Sequence, residues 1–434
     1  MTMQQLEDLS RSELAELARE YMITAHVNDR TGLAAVTLDP RELDYATIAI
    51  EEWMGASPIY TRRMQRALGF AGGEDVATIF KGLQLDCGFA HQYMDVRYEV
   101  EGPNKGRFWL ERCGALLDVE PRGEDLVFTM CHTIEDPTFD ATAVATNRRA
   151  QTRPVHRPPR HESTEVGHPH CEWTMTIDPS HDPVADHPLL SRVRASTLAG
   201  LELRRPPADP DDDGLVLYDG PVLTEPHLEL FSRDALVVIC KEIAVQVHLL
   251  VRALGLSVTD AAGAEAAAEI LEAEMVGSCW IMSERLGRRL DATTVSGSLD
   301  DIETILWLHP MFQPTEYQPI DLERQGDVLT LRLLDGPARA EHDGVSWSSL
   351  LRSGRDKGLR SAARAINRRA RVTRIDHPGV PSWTISIDAG AEPAGVPDWA
   401  AIGHLSGSST FAFEQRVSIT RRSSNRAARP EQPE

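Results

Sequence analysis

Residues Met94–Cys113 read MDVRYEVEGPNKGRFWLERC. Val96, Tyr98 and Val100 alternate with charged residues as one face of a half-buried strand does, and Pro-Asn-Lys-Gly supplies a turn before RFWLERC resumes as a second strand. An antiparallel hairpin is expected. Outward from it, the stretch Arg107–Asp178 holds three of the six cysteines, Cys113, Cys131 and Cys171, in the contexts LERCGALLD, FTMCHTIEDPTFD and HPHCEWTMTID. A third apolar run, Asp125–Cys131, is followed by an acidic EDPTFD loop and a short helix over Thr142–Asn147. AQTRPVHRPP and CEWTMTID then read as two more strands, separated by a His-rich loop from Arg160 to His170.

Helices precede this sheet-forming part. Ser10 or Ser12 can cap a first helix, in which Leu14, Leu17, Ala18 and Tyr21 recur at helical spacing. A polar turn is expected over Asn28–Pro40. Glu42–Leu68 reads as one or two helices, broken near Gly55, Ser57 and Pro58 and stopped by Gly69. Glu74–Phe89 is another helix, with Val76, Ile79, Phe80, Leu83 and Cys87 on one stripe. Beyond the Pro- and Asp-rich stretch 181–222, a helix from about Glu225 ends at RALG (252–255), and Ala261–Leu290 forms a second.

Short motifs repeat between the halves in the same order. RALG at 66–69 returns at 252–255, Trp109-Leu110 as Trp307-Leu308, and DLVFTM from Asp125 as DVLTLR from Asp327. NRRA at 147–150 returns at 367–370, and WTMTID at 173–178 as WTISID at 383–388. Five ordered matches predict a tandem duplication. The expected fold class is α+β: two diverged copies of a helices-plus-antiparallel-sheet domain enclosing a small-molecule pocket. Residues 1–180 form the first copy, 181–222 the linker, 223–415 a degenerate second copy and 416–434 a disordered tail. Aligning the motifs sets Cys113, Cys131 and Cys171 against Met311, Leu333 and Pro381, so the sulfur and polar groups are confined to the first copy.

The chain has 434 residues, of which 41% are hydrophobic and 26% charged, with a net charge of -21. This balance supports buried cores and argues against a nucleic-acid duplex as partner, since phosphate recognition needs a basic face. The most apolar stretch, Ala235–Leu254, is interrupted by Lys241, Glu242, Gln246, His248 and Arg252, so no membrane span is expected. A cytoplasmic protein with reduced thiols follows. Self-association as a homo-oligomer is compatible with this composition.

Three readings of the thiols stand side by side. Zinc, the candidate cofactor, would draw ligands from Cys113, Cys131, His132 and Cys171, although no C-x-x-C or H-x-x-x-H spacing is present. A nucleophilic Cys131 would need His170, His156 or Asp136 brought to it through space. Plain core packing needs neither. Glu135, Asp136 and Asp140 could serve as acid or base, and Arg153 and Arg157 could clamp an anion unless they face solvent on an edge strand.

The apolar run ending in Cys131, Asp136 and Phe139 beyond it, Asn147, Arg153 and the Cys171-x-Trp173 strand resemble the bacterial L-2-amino-thiazoline-4-carboxylic acid hydrolase-like family. More distantly they resemble small-molecule-binding domains of the 4-vinyl reductase type. The likeness covers about residues 60–180 and, faintly, 245–390. It implies an α/β domain around a pocket for a small organic ligand and, in some domains of the second type, a cysteine-held zinc. The resulting expectation is a hydrolase of a partly apolar or carboxylated small molecule. Its catalytic residues would be Cys131, Asp136 and His170, with Arg153, Asn147 and His156 binding substrate. A non-catalytic sensor or a structural partner subunit is the alternative.

Overall fold

A computed structural model describes residues 6–160, 168–225, 227–290, 297–377 and 379–414, so the tail 416–434 lies outside the described residues, as do 161–167 of the His-rich loop. The chain begins with helices α1 (Arg11–Met22), α2 (Thr24–Thr37), α3 (Tyr45–Ala67) and α4 (Val76–Leu83). Ser10 caps α1 in a full capping box with Glu13. The MDVRYEVEG hairpin forms as β1 (Met94–Gly102) and β2 (Lys105–Cys113), closed at Gly102 and Lys105. After α5 (Gly114–Val119), helix α6 (Glu124–Phe128) passes through a wide π turn at Thr129–Ile134 into α7 (Glu135–Ala143). Strands β3 (Ala150–His156) and β4 (Cys171–Ile177) complete an antiparallel sheet of order β1-β2-β4-β3, followed by α8 (Pro188–Arg194).

The second half opens with two long helices, α9 (Arg233–Ala262) and α10 (Ala264–Arg289), then α11 (Leu299–Leu308). Strands β5 (Ile320–Gln325), β6 (Val328–Leu333), β7 (Ala370–His377) and β8 (Val380–Ile387) form a second antiparallel sheet in the order β5-β6-β8-β7. Between its hairpins lie α12 (Trp347–Ser353) and α13 (Lys357–Ile366), and α14 (Asp398–Gly403) and α15 (Gly407–Thr410) follow β8. Helices with two separate antiparallel sheets make the chain α+β. No helix among the described residues is long and apolar enough to cross a membrane.

The two sheets share more than strand order. Asn147 donates through Nδ2 to the Glu74 carbonyl, and Asn367 donates likewise to that of Gly297. The carboxamide oxygen of each accepts the N–H two residues on, from Arg149 and Arg369. Arg148 bonds the Val184 carbonyl as Arg368 bonds that of Ala394. Trp173 and Trp383 stand at matching places in β4 and β8, each fully buried.

Other matched motifs do not correspond in space. Trp109 is in β2 whereas Trp307 is in α11, and DLVFTM is helical whereas DVLTLR forms β6. The buried residues Val127, Cys131 and Ile134 explain the helix, because they recur at i, i+4 and i+7, a spacing hidden inside a continuous apolar run. Gly69 does stop a helix, with φ of 75°, whereas Gly255 lies inside α9, where an added Cβ would fall 2.7 Å from Val345 Cβ.

Three further expectations fail for packing reasons. The polar turn expected from Asn28 is α2, whose Asn28, Thr31 and Gly32 are buried against α10, so polarity there marks a helix contact. Pro58 does not break α3, which packs along α9. The stretch 181–222 is no free connector: Leu190 and Val193 of α8 are buried, and Arg63 holds the Ala199 and Leu201 carbonyls.

One hydrophobic core runs from Leu6 to Phe413 through both halves. Helix α2 lies directly on α10. Thr31 Oγ1 is 2.9 Å from Ser278 Oγ, and an added Cβ on Gly277 would fall 2.5 Å from Thr31 Cγ2 and 2.8 Å from the Trp399 carbonyl oxygen. Gly277→Ala should therefore force the helices apart and cost about 1–3 kcal/mol. Thermal unfolding should show a drop in Tm of several degrees, and an unchanged Tm would refute this contact.

Candidate functional site

The first half encloses a cavity of about 180 Å³. Helix α2 presents His26, Asp29, Arg30 and Leu33 to it, a spacing of i, i+3, i+4 and i+7 that keeps all four on one face. Helix α3 adds Tyr45, Ala49 and Trp53, again four apart. Met94, Leu110 and Cys171 contribute from β1, β2 and β4, and Asp86, Gly88 and Phe89 from the turn after α4. The π turn and α7 supply Met130, Ile134, Glu135, Thr138, Phe139 and Thr142. By inserting an extra residue, a π turn re-aims the side chains after it.

Four acid and imidazole groups of the cavity, Glu135, Asp29, Asp86 and His26, are strongly perturbed. Burial raises Glu135 to about 8, with Arg157 opposing. Burial likewise raises Asp29 to about 7 against the pull of Arg30, and Asp29 Oδ1 is buried without a partner. Behind Asp29, Glu52 on α3 is pushed up by burial and then by Asp29 and Glu274. Asp86 rises to about 6 through burial, moderated by the Gly88 N–H and the Tyr60 hydroxyl that its Oδ1 accepts. His26 is lowered by burial to about 4 and is neutral at pH 7; its Nε2 is buried and unpartnered.

Asp118, from α5, is fixed from both halves of the chain. It accepts from the Tyr93 hydroxyl at 2.9 Å, from the Gly407 N–H at 2.7 Å and from the Ser406 hydroxyl. Gly114 makes room for the Tyr93 ring, since an added Cβ would lie 2.3 Å from Cε2.

Of the residues predicted from sequence, Cys171 lines this cavity, and Glu135 influences all three thiols electrostatically. Burial pushes Cys113 up to about 12 and Cys131 and Cys171 well above the ordinary thiol range, so all are protonated at neutral pH. His132 stacks on Phe128 and contacts the Pro158 carbonyl, and His170 Nδ1 accepts the Cys113 N–H at 3.1 Å. Among the described residues no group of three or more His, Cys, Asp or Glu side chains is placed to hold a metal ion.

Asp136 pairs with Arg157, whose guanidinium lies over Trp173. Arg153 pairs with Asp140 at 2.9 Å on edge strand β3, His156 contacts the Pro169 carbonyl, and Asn147 ties down the NRRA loop. These three are occupied by structure. His26, Asp29, Arg30, Asp86 and Asp118 were not singled out from sequence. The H-x-x-D-R spacing at 26–30 is the sequence signal for the α2 members of this set. No family model, curated protein or solved structure matches the chain.

The raised Glu135 links pH to stability. Its folded value, about 8, exceeds its ordinary value of 4.5, so the stability it confers is complete below 4.5 and is lost as pH rises through 8. Glu135→Gln should therefore flatten the decline. At pH 9 the variant should be more stable than wild type by roughly 2–4 kcal/mol, with no such gain at pH 5. Denaturant titrations at the two pH values check this, and equal differences would contradict it.

Proposed function

We propose that the protein is a cytoplasmic enzyme acting on a small, partly apolar molecule in the first-half cavity, with Asp29 as general base and Glu135 as general acid. The observation that carries this reading is the pair of buried carboxyls held near neutrality in one cavity with apolar and aromatic walls. Hydrolysis is the reaction the pair suits. Asp29 takes a proton from water as the water oxygen bonds to an electrophilic carbon, and Glu135 gives its proton to the departing nitrogen or oxygen as that bond breaks. Proton exchange with solvent then restores both groups.

The nucleophilic role expected of Cys131 is replaced in this proposal, because a protonated, buried thiol is a poor nucleophile. The chain is further proposed to descend from a tandem duplication, supported by the matched hydrogen bonds of Asn147 and Asn367. In the second half the cavity chemistry is replaced. The spacing of 220 residues that carries Asn147 to Asn367 carries Glu135 to Arg355, which is paired with Glu265 and Glu272.

A panel of small amides, cyclic amidines and esters provides the test. Turnover should follow a bell-shaped pH profile with limbs near 7 and 8, the lower from Asp29 losing its proton and the upper from Glu135 losing its own. Asp29→Asn and Glu135→Gln should each lower kcat about 10²-fold or more, while Cys131→Ser leaves it within a few-fold. Loss of turnover in Cys131→Ser with retention in Glu135→Gln would reverse the assignment. Ligand retention without turnover of any compound would favour a binding protein.

A further inference from the structure

The cavity's charge selects among small molecules. Four carboxyls, Asp29, Asp86, Asp118 and Glu135, face one guanidinium, that of Arg30, and His26 is neutral. Arg30 Nη2 already lies 3.7 Å from Asp118 Oδ2. Between these groups stand the rings of Tyr45, Trp53, Phe89, Tyr93 and Phe139, the surface that favours a cation over an anion. Two polar groups in the wall are left waiting: Asp29 Oδ1 and His26 Nε2 are buried without partners, and such atoms are costly to leave unpaired.

We propose that the cavity takes a small organic cation, a protonated amine on a compact aromatic or aliphatic body, with the ammonium held by Asp29 and Glu135. This rests on the cavity as the ligand site but not on catalysis. A carboxylated ligand would find one guanidinium in the lining, that of Arg30, already beside Asp118. The groups facing Asp29 are Arg30 beside it, Tyr45, Glu52 and Tyr60 on α3, Cys87 after α4 and Glu274 on α10, and those facing Glu135 are Arg157, Asp136, Cys113, Cys131 and Cys171. An ammonium favours the ionised carboxylates, and binding should release a proton to buffer.

Isothermal titration calorimetry of the full chain with benzylamine, benzyl alcohol and benzoate separates the charges on one ring. Benzylamine should bind at least tenfold more tightly than either other probe, and its affinity should rise several-fold from pH 6 to pH 8. Measurements in buffers of different ionisation enthalpy should show protons released on binding. Asp29→Asn should weaken benzylamine at least tenfold while its thermal melt stays cooperative. Benzoate binding as tightly as benzylamine, affinity falling as pH rises, or no benzylamine binding at millimolar concentration would overturn the inference. Benzylamine binding in a protein that turns over none of the panel leaves it standing and removes the acid–base reading. Turnover of anionic substrates alone, without amine binding, does the reverse.

Discussion

The crossing of α2 and α10 sets the geometry on which the rest depends. At Gly277 the helices approach until Thr31 Cγ2 occupies the space a side chain would need, and Thr31 Oγ1 meets Ser278 Oγ. Because α2 is held there, its opposite residues His26, Asp29 and Arg30 face the cavity against the first sheet. The same contact brings Glu274 of α10 near Glu52, whose carboxyl it helps to push up after burial and Asp29. Packing between the halves thus fixes the acid–base character of a site that belongs to one of them.

The second half also reaches the site from its other end. Ser406 and Gly407 orient Asp118, and Phe411 packs edge-on to Tyr93 at 5.4 Å between centroids. Buried ion pairs reinforce the arrangement: Glu20 of α1 holds both Arg285 and Arg289 of α10, and Arg63 of α3 pairs with Glu242 of α9. Removing one member of such a pair leaves an uncompensated buried charge.

Strands with alternating patterns and a clear turn were legible in the sequence. The hairpin from Met94 to Cys113 and the edge position of proline-bearing β3 both emerge in the structure. Helix α2 was not, because its buried face is built from Asn28, Thr31 and Gly32, and small polar residues packed helix on helix look like a turn. The helical Cys131 segment misled for the opposite reason: a continuous apolar run carries no period. Cys171 and Glu135 share the cavity, and the carboxyl there is perturbed first by burial, which no local sequence pattern records.

The central claim is that buried carboxyls in a preformed cavity stay protonated near neutral pH. Carbon-13 NMR titration of the side-chain carboxyls, with Glu135 and Asp29 assigned by substitution, reads this directly. The account predicts midpoints near 8 for Glu135 and near 7 for Asp29. Midpoints for both in the ordinary range of about 4 to 5 would contradict it.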